Sequence, residues 1–272
     1  MRIVNRYINL LRYGVRNRFI RPRKKYPDFA FDKDNLARLE DFLVSSGCES
    51  AVAFVGLKQV KHSLDVDNPF TTLHSILGTA FSTLLVPTFT PSVLNTGIFN
   101  ATTTPSENGT FSQLFLRASG SRTLCPFKSY ALQGARTAEI LSLATHNDYA
   151  EGGAYYYINS HDIQTVNIGT SDLRFGAIHY AEYVAGVPYL LQRKLQITVI
   201  AQNGDSSEGE YLYLDYKTRV KFNRDKIERD LLKAGVATKL VINDLIVRIL
   251  PEQRYFEFLM NKLRKDPYYL VD

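Results

Sequence analysis

The sequence predicts an α/β protein: a layered α/β/α sandwich around a central mixed sheet. Three observations carry that expectation. Short apolar runs of strand length, at 51–57, 83–86 and 163–168, alternate with longer stretches whose apolar residues fall in helical register. Between them stand residues that stop regular structure: Gly47, Pro87 and Gly169. A chain of 272 residues, 45% apolar and 22% charged, is long enough for one sizeable core and ordinary in its polarity.

The elements follow in order. Leu36, Leu39, Phe42 and Leu43 share one face of a helix predicted over 32–46, which Gly47 terminates. The run 51–57 reads as a buried strand. Asn68 and Pro69 introduce a helix over 69–81, and 83–86 is the next buried strand, stopped by Pro87. From 88 to 110 the chain is rich in Thr, Ser, Pro, Asn and Gly, and irregular stretches of that length in compact domains are usually functional. A helix begins at 111–116, and 129–144 holds a short strand and a helix. Residues 163–168 form a strand that Gly169 ends. Residues 193–200 and 211–216 read as strands flanking an acidic loop, 203–210, and helices near 223–234 and 252–264 close the chain.

Charge divides the chain in two. The net charge is +6, but residues 1–25 alone hold nine Lys/Arg and no Asp/Glu, leaving 24 basic against 27 acidic residues elsewhere. Apolar residues from Ile3 to Phe19 recur among those arginines at helical spacing. Residues 1–30 are therefore expected to form a basic amphipathic arm and 31–272 a single domain. The arm fits a helix lying on an anionic membrane surface or gripping a polyanion, and fits equally a helix docked on its own domain. Arg12, Arg16 and Arg18 interrupt every apolar stretch, which argues against a secretory signal, and no run reaches the ~18 apolar residues of a transmembrane helix. Two distant cysteines, Cys48 and Cys125, fit a reducing, cytoplasmic compartment. The histidines show no zinc spacing, and the P-loop, G-x-S-x-G and G-x-G-x-x-G patterns are absent. Nucleic acid is not an expected partner, and a homo-oligomer stays open.

The chemistry is expected at Ile178-His179-Tyr180-Ala181-Glu182. Residues three apart share a helical face, so the Glu182 carboxylate can hold one imidazole nitrogen of His179 and raise the basicity of the other. Such a base can take a proton from an attacking amine or hydroxyl. A second candidate is Cys125, near Arg122 and Lys128, either of which can lower a thiol pKa; the plainer reading of Cys125 is a small buried apolar residue.

The segments "LLVPTFT", "TTTPSENGTFSQLFL", "SRTLCPFKSYALQG" and "NIGTSDLRFGAIHYAEYVAGVPY" stand in that order in the chain. Together they resemble the aminoglycoside 3-N-acetyltransferase family of acyl-CoA-dependent enzymes, from about Leu36 to the C-terminal "DPYYL". The resemblance implies an acyltransferase with acetyl-CoA or another acyl-CoA as co-substrate, no metal, and a small-molecule amino-sugar acceptor. It implies His179 as general base with Glu182 orienting it, and Thr88, Phe89, Thr90, Thr104 and Ser106 around the cofactor arm. Two departures stand out. A His-Ser-Ser-Leu-like phosphate segment is replaced by residues 53–58, where Gly56, Leu57 and Lys58 are left to offer a backbone N–H and a charge. The usual His-Pro becomes Cys125-Pro126. The altered cofactor segment and the basic arm turn the expectation toward a surface-polysaccharide or nucleotide-linked amino sugar, with peripheral membrane contact through residues 1–25. An aminoglycoside acceptor is the alternative, for which Asp205, Glu208 and Glu210 are the candidate polycation contacts. A Cys125-dependent acyltransferase and a non-catalytic binding protein on the same fold are the remaining ones.

Overall fold

The computed structural model describes residues 29–143, 145–174 and 176–272; the basic arm at 1–25 lies outside the described residues. Helix α1 (Lys33–Val44) is capped by Asp32, whose carboxylate accepts the Asp34 N–H at 2.9 Å. Strand β1 (Ser50–Val55) is followed by α2 (Leu57–Leu64) and by α3 (Pro69–Ala80), which Asn68 caps through the Thr71 N–H at 3.1 Å. Then come β2 (Thr83–Pro87), α4 (Val93–Thr96), β3 (Ile98–Asn100), α5 (Thr110–Ser119), β4 (Tyr130–Gly134), α6 (Thr137–Leu141) and α7 (Ala154–Ser160). Strand β5 (Gln164–Ile168) leads to α8 (Ala177–Ala185) and the long hairpin β6 (Leu190–Ile200) and β7 (Ser206–Tyr216). Helix α9 (Arg224–Lys233), the hairpin β8 (Thr238–Ile242) and β9 (Leu245–Pro251), and α10 (Glu252–Leu263) complete the chain.

The central sheet is mixed, in the order β4-β2-β1-β5-β9-β8. Strand β1 runs parallel to β2 and β5, while β4, β8 and β9 pair antiparallel with their neighbours. Alternation of side chains along a strand sends successive residues to opposite faces. Ala51, Ala53, Leu84 and Val86 pack under α1, α2, α3 and α5, whereas Val52 and Leu85 pack with Tyr130, Tyr155 and Ile158 on the other face. Helices on both faces make the three layers that the sequence predicts. Strands β3, β6 and β7 form a second, three-stranded sheet over Phe99, Phe127, Ile197 and Tyr211. Among the described residues no helix is long and apolar enough to cross a membrane.

Several elements depart from the sequence expectation. The strand of 51–57 stops at Val55, because Leu57 already starts α2. The irregular stretch 88–110 contains α4 and β3, held in place from below by a buried arginine described in the next subsection. The acidic loop 203–210 is mostly strand: Glu208 and Glu210 lie in the ladder of β7. The sequence expectation omits helix α7 and the final hairpin β8–β9, although the apolar runs 240–242 and 245–247 around Asn243-Asp244 are a hairpin signal.

Candidate active site

Strands β1 and β5 are parallel neighbours, but the chain leaves their C-terminal ends toward opposite faces, into α2 and α8. Diverging connections open a crevice beyond the strand ends, where layered α/β proteins collect ligands. Here the two strand ends also come unusually close. Gly56 donates its N–H to Ile168 at 2.8 Å, and a Cβ on Gly56 would sit 2.1 Å from the Gly169 carbonyl oxygen. Gly169 itself turns at φ 65. Only glycine fits this approach. Beyond it lies a cavity of about 1560 Å³ whose lining includes Gly56, Leu57, Lys58, Phe89, Thr110, Lys128, His179, Phe222, Arg224 and Lys239.

His179 and Glu182 lie on one face of α8, as the spacing predicts. His179 Nδ1 is 3.0 Å from Glu182 Oε2, and the Tyr216 hydroxyl is 3.1 Å from the same oxygen and 3.2 Å from Nδ1. The carboxylate accepts from both, so the network assigns the hydrogen to Nδ1 and leaves Nε2 as the acceptor nitrogen. Glu182 is fully buried, whereas the His179 side chain keeps 24% of its exposure and faces the cavity. Burial lowers the His179 pKa below its ordinary 6.5, the Lys128 charge lowers it further, and Glu182 opposes both. The imidazole is therefore neutral at neutral pH and able to take a proton. Tyr216 has its pKa raised by burial and then by the Glu182 charge, so it stays a hydroxyl donor.

The start of α8 is fixed from beneath. Thr165 and Asn167 point to the α8 side of β5. The fully buried Glu252 accepts the Thr165 hydroxyl and lies near the backbone N–H of Ala177, the first residue of α8, which lowers its pKa. Burial pushes the Glu252 carboxyl up to about 7. Asn167 bonds both the N–H and the carbonyl of Arg174, at 2.6 and 2.7 Å, and so shapes the loop that lines the cleft.

The sequence-derived contact residues separate into two groups. Gly56, Leu57, Lys58 and Phe89 line the cavity. The Gly56 N–H, however, is occupied by Ile168, so the donors at that end belong to the first turn of α2, whose N–H groups have no intrahelical acceptor. Thr88, Thr90, Thr104 and Ser106 do not line the cavity. Thr88, Thr90 and Ser106 are buried, and the first two and Thr104 are spent on the framework. Thr90 donates to the Pro126 carbonyl at 2.6 Å, and Ser106 accepts the Asn108 N–H at 3.3 Å. Buried Arg122 donates to Thr88 Oγ1 at 3.1 Å, to Ser129 Oγ at 3.0 Å, and to the Thr88 and Thr104 carbonyls. One guanidinium thus ties residues 88 and 104 together. Burial lowers its pKa to about 10 without discharging it.

Cys125 does not face this cavity. It is buried beside a separate pocket of about 170 Å³, where its thiol donates to Asp148 Oδ2 and accepts the Lys128 N–H at 3.0 Å. Burial and the Asp148 charge raise the thiol pKa well above its ordinary value. A nucleophilic cysteine needs the thiolate, which this setting opposes. The acidic tip is likewise remote from the site: Glu210 pairs with Lys194 at 2.9 Å, and Asp205, Glu208 and Glu210 are absent from the cavity lining. Sequence reading missed Tyr216 and Lys128 as site residues. Only the fold brings Tyr216 to α8, so spacing holds no signal for it.

The family model for aminoglycoside 3-N-acetyltransferase matches residues 66–264. Solved structures similar to this chain share its fold. Aminoglycoside acetyltransferase AAC(3)-IVa in complex with a gentamicin is 20% identical, with 89% of this chain and 92% of that one covered at TM-score 0.68. AAC-IIIb, solved with CoASH, is 15% identical over 87% and 97% at 0.70, and the YokD protein of Bacillus subtilis 14% over 88% and 95% at 0.68. No curated protein matches the chain in sequence. The class is that of an acyl-CoA-dependent acetyltransferase. Within that class, the chain belongs to the aminoglycoside 3-N-acetyltransferase family. None of these relatives points to polysaccharide biosynthesis. Among the described residues no cluster of His, Cys, Asp and Glu suits a metal ion.

Proposed function

We propose that the protein transfers the acetyl group of acetyl-CoA to an amine of an amino sugar, with His179 as general base. The observation that carries this is the His179–Glu182–Tyr216 cluster: two partners hold one ring nitrogen, and the ring borders a cavity large enough for a cofactor and an acceptor together. The amine nitrogen attacks the thioester carbonyl carbon, and its proton passes to His179 Nε2. The C–S bond then breaks, and the CoA sulfur leaves with the proton that the imidazolium returns. Glu182 stabilises the imidazolium, and Tyr216 holds Glu182 in place.

The anionic end of the donor fits the opposite end of the cleft. There the first turn of α2 presents N–H groups beside Lys58. The uncharged arm would then run past Gly56 and Gly169 toward Phe89, while Thr88, Thr90, Thr104 and Ser106 hold that wall from behind. The family's name and a structural neighbour bound to a gentamicin support an amino sugar as the acceptor class. The test is direct. Calorimetry with acetyl-CoA, and release of free CoA thiol on adding an amino-sugar acceptor, should both give signals. Absence of binding by any acyl-CoA at millimolar concentration would contradict the reading.

A further inference from the structure

We propose that Lys128 reads an anionic group, a carboxylate or a phosphate, on the acceptor, so that the enzyme acylates an amino sugar carrying a negative charge near its amine. This rests on the transferase reading above and narrows its substrate class. The geometry begins at the turn 125–128. The Lys128 N–H is pinned to Cys125 Sγ at 3.0 Å, and the side chain extends into the cavity with Nζ 4.6 Å from the centroid of the Phe89 ring. Phe89 is braced edge-on against buried Tyr130 at 5.7 Å, so the platform under the ammonium is fixed.

Other cations of the cavity have carboxylate neighbours. Lys239 meets Glu228 at 3.0 Å, and Arg224 and Arg174 share Asp172 at 3.6 and 3.7 Å. Asp148 and Glu182 attract Lys128, but among the described residues neither closes an ion pair with it; its ammonium lies over the face of an aromatic ring and keeps hydrogens for a ligand. Its charge acts on His179 and is attracted by Glu182, so it stands at the reacting end of the cleft. Before reaction the donor carries no anion there; charge develops on its thioester oxygen only in the transition state, and stabilising that charge would favour every acceptor alike. In acyl-CoA the phosphates are separated from the thioester by an uncharged arm, and the first turn of α2, beside Lys58, has N–H groups to meet them. The charge of Lys128 therefore addresses the acceptor.

The same electrostatics disfavour a polycation. The carboxylates lining the cavity are Glu107 and Asp244. Each already has work: Glu107 Oε1 accepts the Ser92 N–H at 2.8 Å, and Asp244 accepts the Ser63 hydroxyl. A second and third ammonium on an acceptor would face Lys128 and Arg224 rather than carboxylates.

The experiment compares kcat/KM for four amines with acetyl-CoA: glucosamine, glucosamine 6-phosphate, 2-amino-2-deoxyglucuronic acid and gentamicin. The wild type should prefer the two anionic amines over glucosamine by about 10–100-fold, the worth of a charge-assisted hydrogen bond. Lys128→Arg should keep that ratio, and Lys128→Met, checked for folding by its melting temperature, should bring it near one. An equal ratio in wild type and Lys128→Met would overturn the inference, as would a wild-type preference for gentamicin. Running succinyl-CoA beside acetyl-CoA separates the acceptor from the acyl chain: a Lys128-dependent preference for the succinyl donor alone also overturns it. Failure to acylate any of the four amines would instead overturn the transferase reading beneath it.

Discussion

Two pairs of proton-sharing side chains lie near Lys128, and they have opposite fates. Cys125 and Asp148 line a small pocket, whereas His179, backed by buried Glu182, lines the large cleft. Each pair sets a carboxylate against a group that can serve as nucleophile or base. In the first, the thiol hydrogen is given to Asp148 and the sulfur accepts a backbone N–H, so neither valence is left for a substrate. Burial pushes the Asp148 carboxyl up to about 6, still ionised at neutral pH, and burial and that charge raise the thiol well above its ordinary range, so the thiol keeps its proton. In the second, the carboxylate takes one ring nitrogen and the other is free to act. Burial lowers the imidazole pKa, which keeps the base unprotonated. The comparison teaches that residue types do not make a catalytic pair. What decides is whether the reactive atom has a face left toward a cavity.

The largest effect should come from His179→Ala. Its kcat should fall by about 10²–10⁴-fold, the usual worth of a positioned base, with acyl-CoA affinity in calorimetry nearly unchanged. Glu182→Gln should cost less, because an amide still positions the ring but does not stabilise the imidazolium. Tyr216→Phe removes one hydrogen bond to a charged group, worth about 1.5 kcal/mol or more, and should lower kcat by about tenfold. Cys125→Ala should retain most of the activity while leaving Asp148 without its donor. Urea unfolding should show it destabilised by about 1–3 kcal/mol. An inactive but folded Cys125→Ala would reverse the comparison.

A separate effect is in the pH dependence of stability. Asp148 has a folded pKa raised from 3.8 to about 6, and Glu252 one raised from 4.5 to about 7. A raised carboxyl contributes stability that is fully present below its unfolded pKa and is lost as pH rises through the folded one. Unfolding midpoints should therefore decline between about pH 4 and pH 7 on account of these two groups. Asp148→Asn should flatten the part of that decline below about pH 6.

Much of this was legible before the structure. The i, i+3 spacing put Glu182 under His179, and the apolar runs located three strands of the sheet because buried parallel strands are apolar throughout. The hydroxyls at 88, 90, 104 and 106 read as cleft-lining because threonine and serine look alike whether they face ligand or framework. Arg122, which holds Thr88 and the Thr104 carbonyl, lies 34 and 18 residues from them and becomes visible only when the chain closes around it. Tyr216 is 34 residues from Glu182 and arrives through the β6–β7 hairpin, whose register no local pattern specifies. The acidic tip was legible as charge but not as position, since its carboxylates belong to a strand on the outer sheet.

The pH–rate profile of kcat for amine acetylation tests the role of His179 most directly. Only the neutral imidazole can accept the proton, so kcat should rise with pH through one ionisation centred below the ordinary histidine value of 6.5 and then level off. In Lys128→Met that rise should move to higher pH, since removing a nearby positive charge eases protonation of the ring. A profile that is flat across this range, or one that keeps its rise in His179→Ala, would contradict the assignment of His179 as the base.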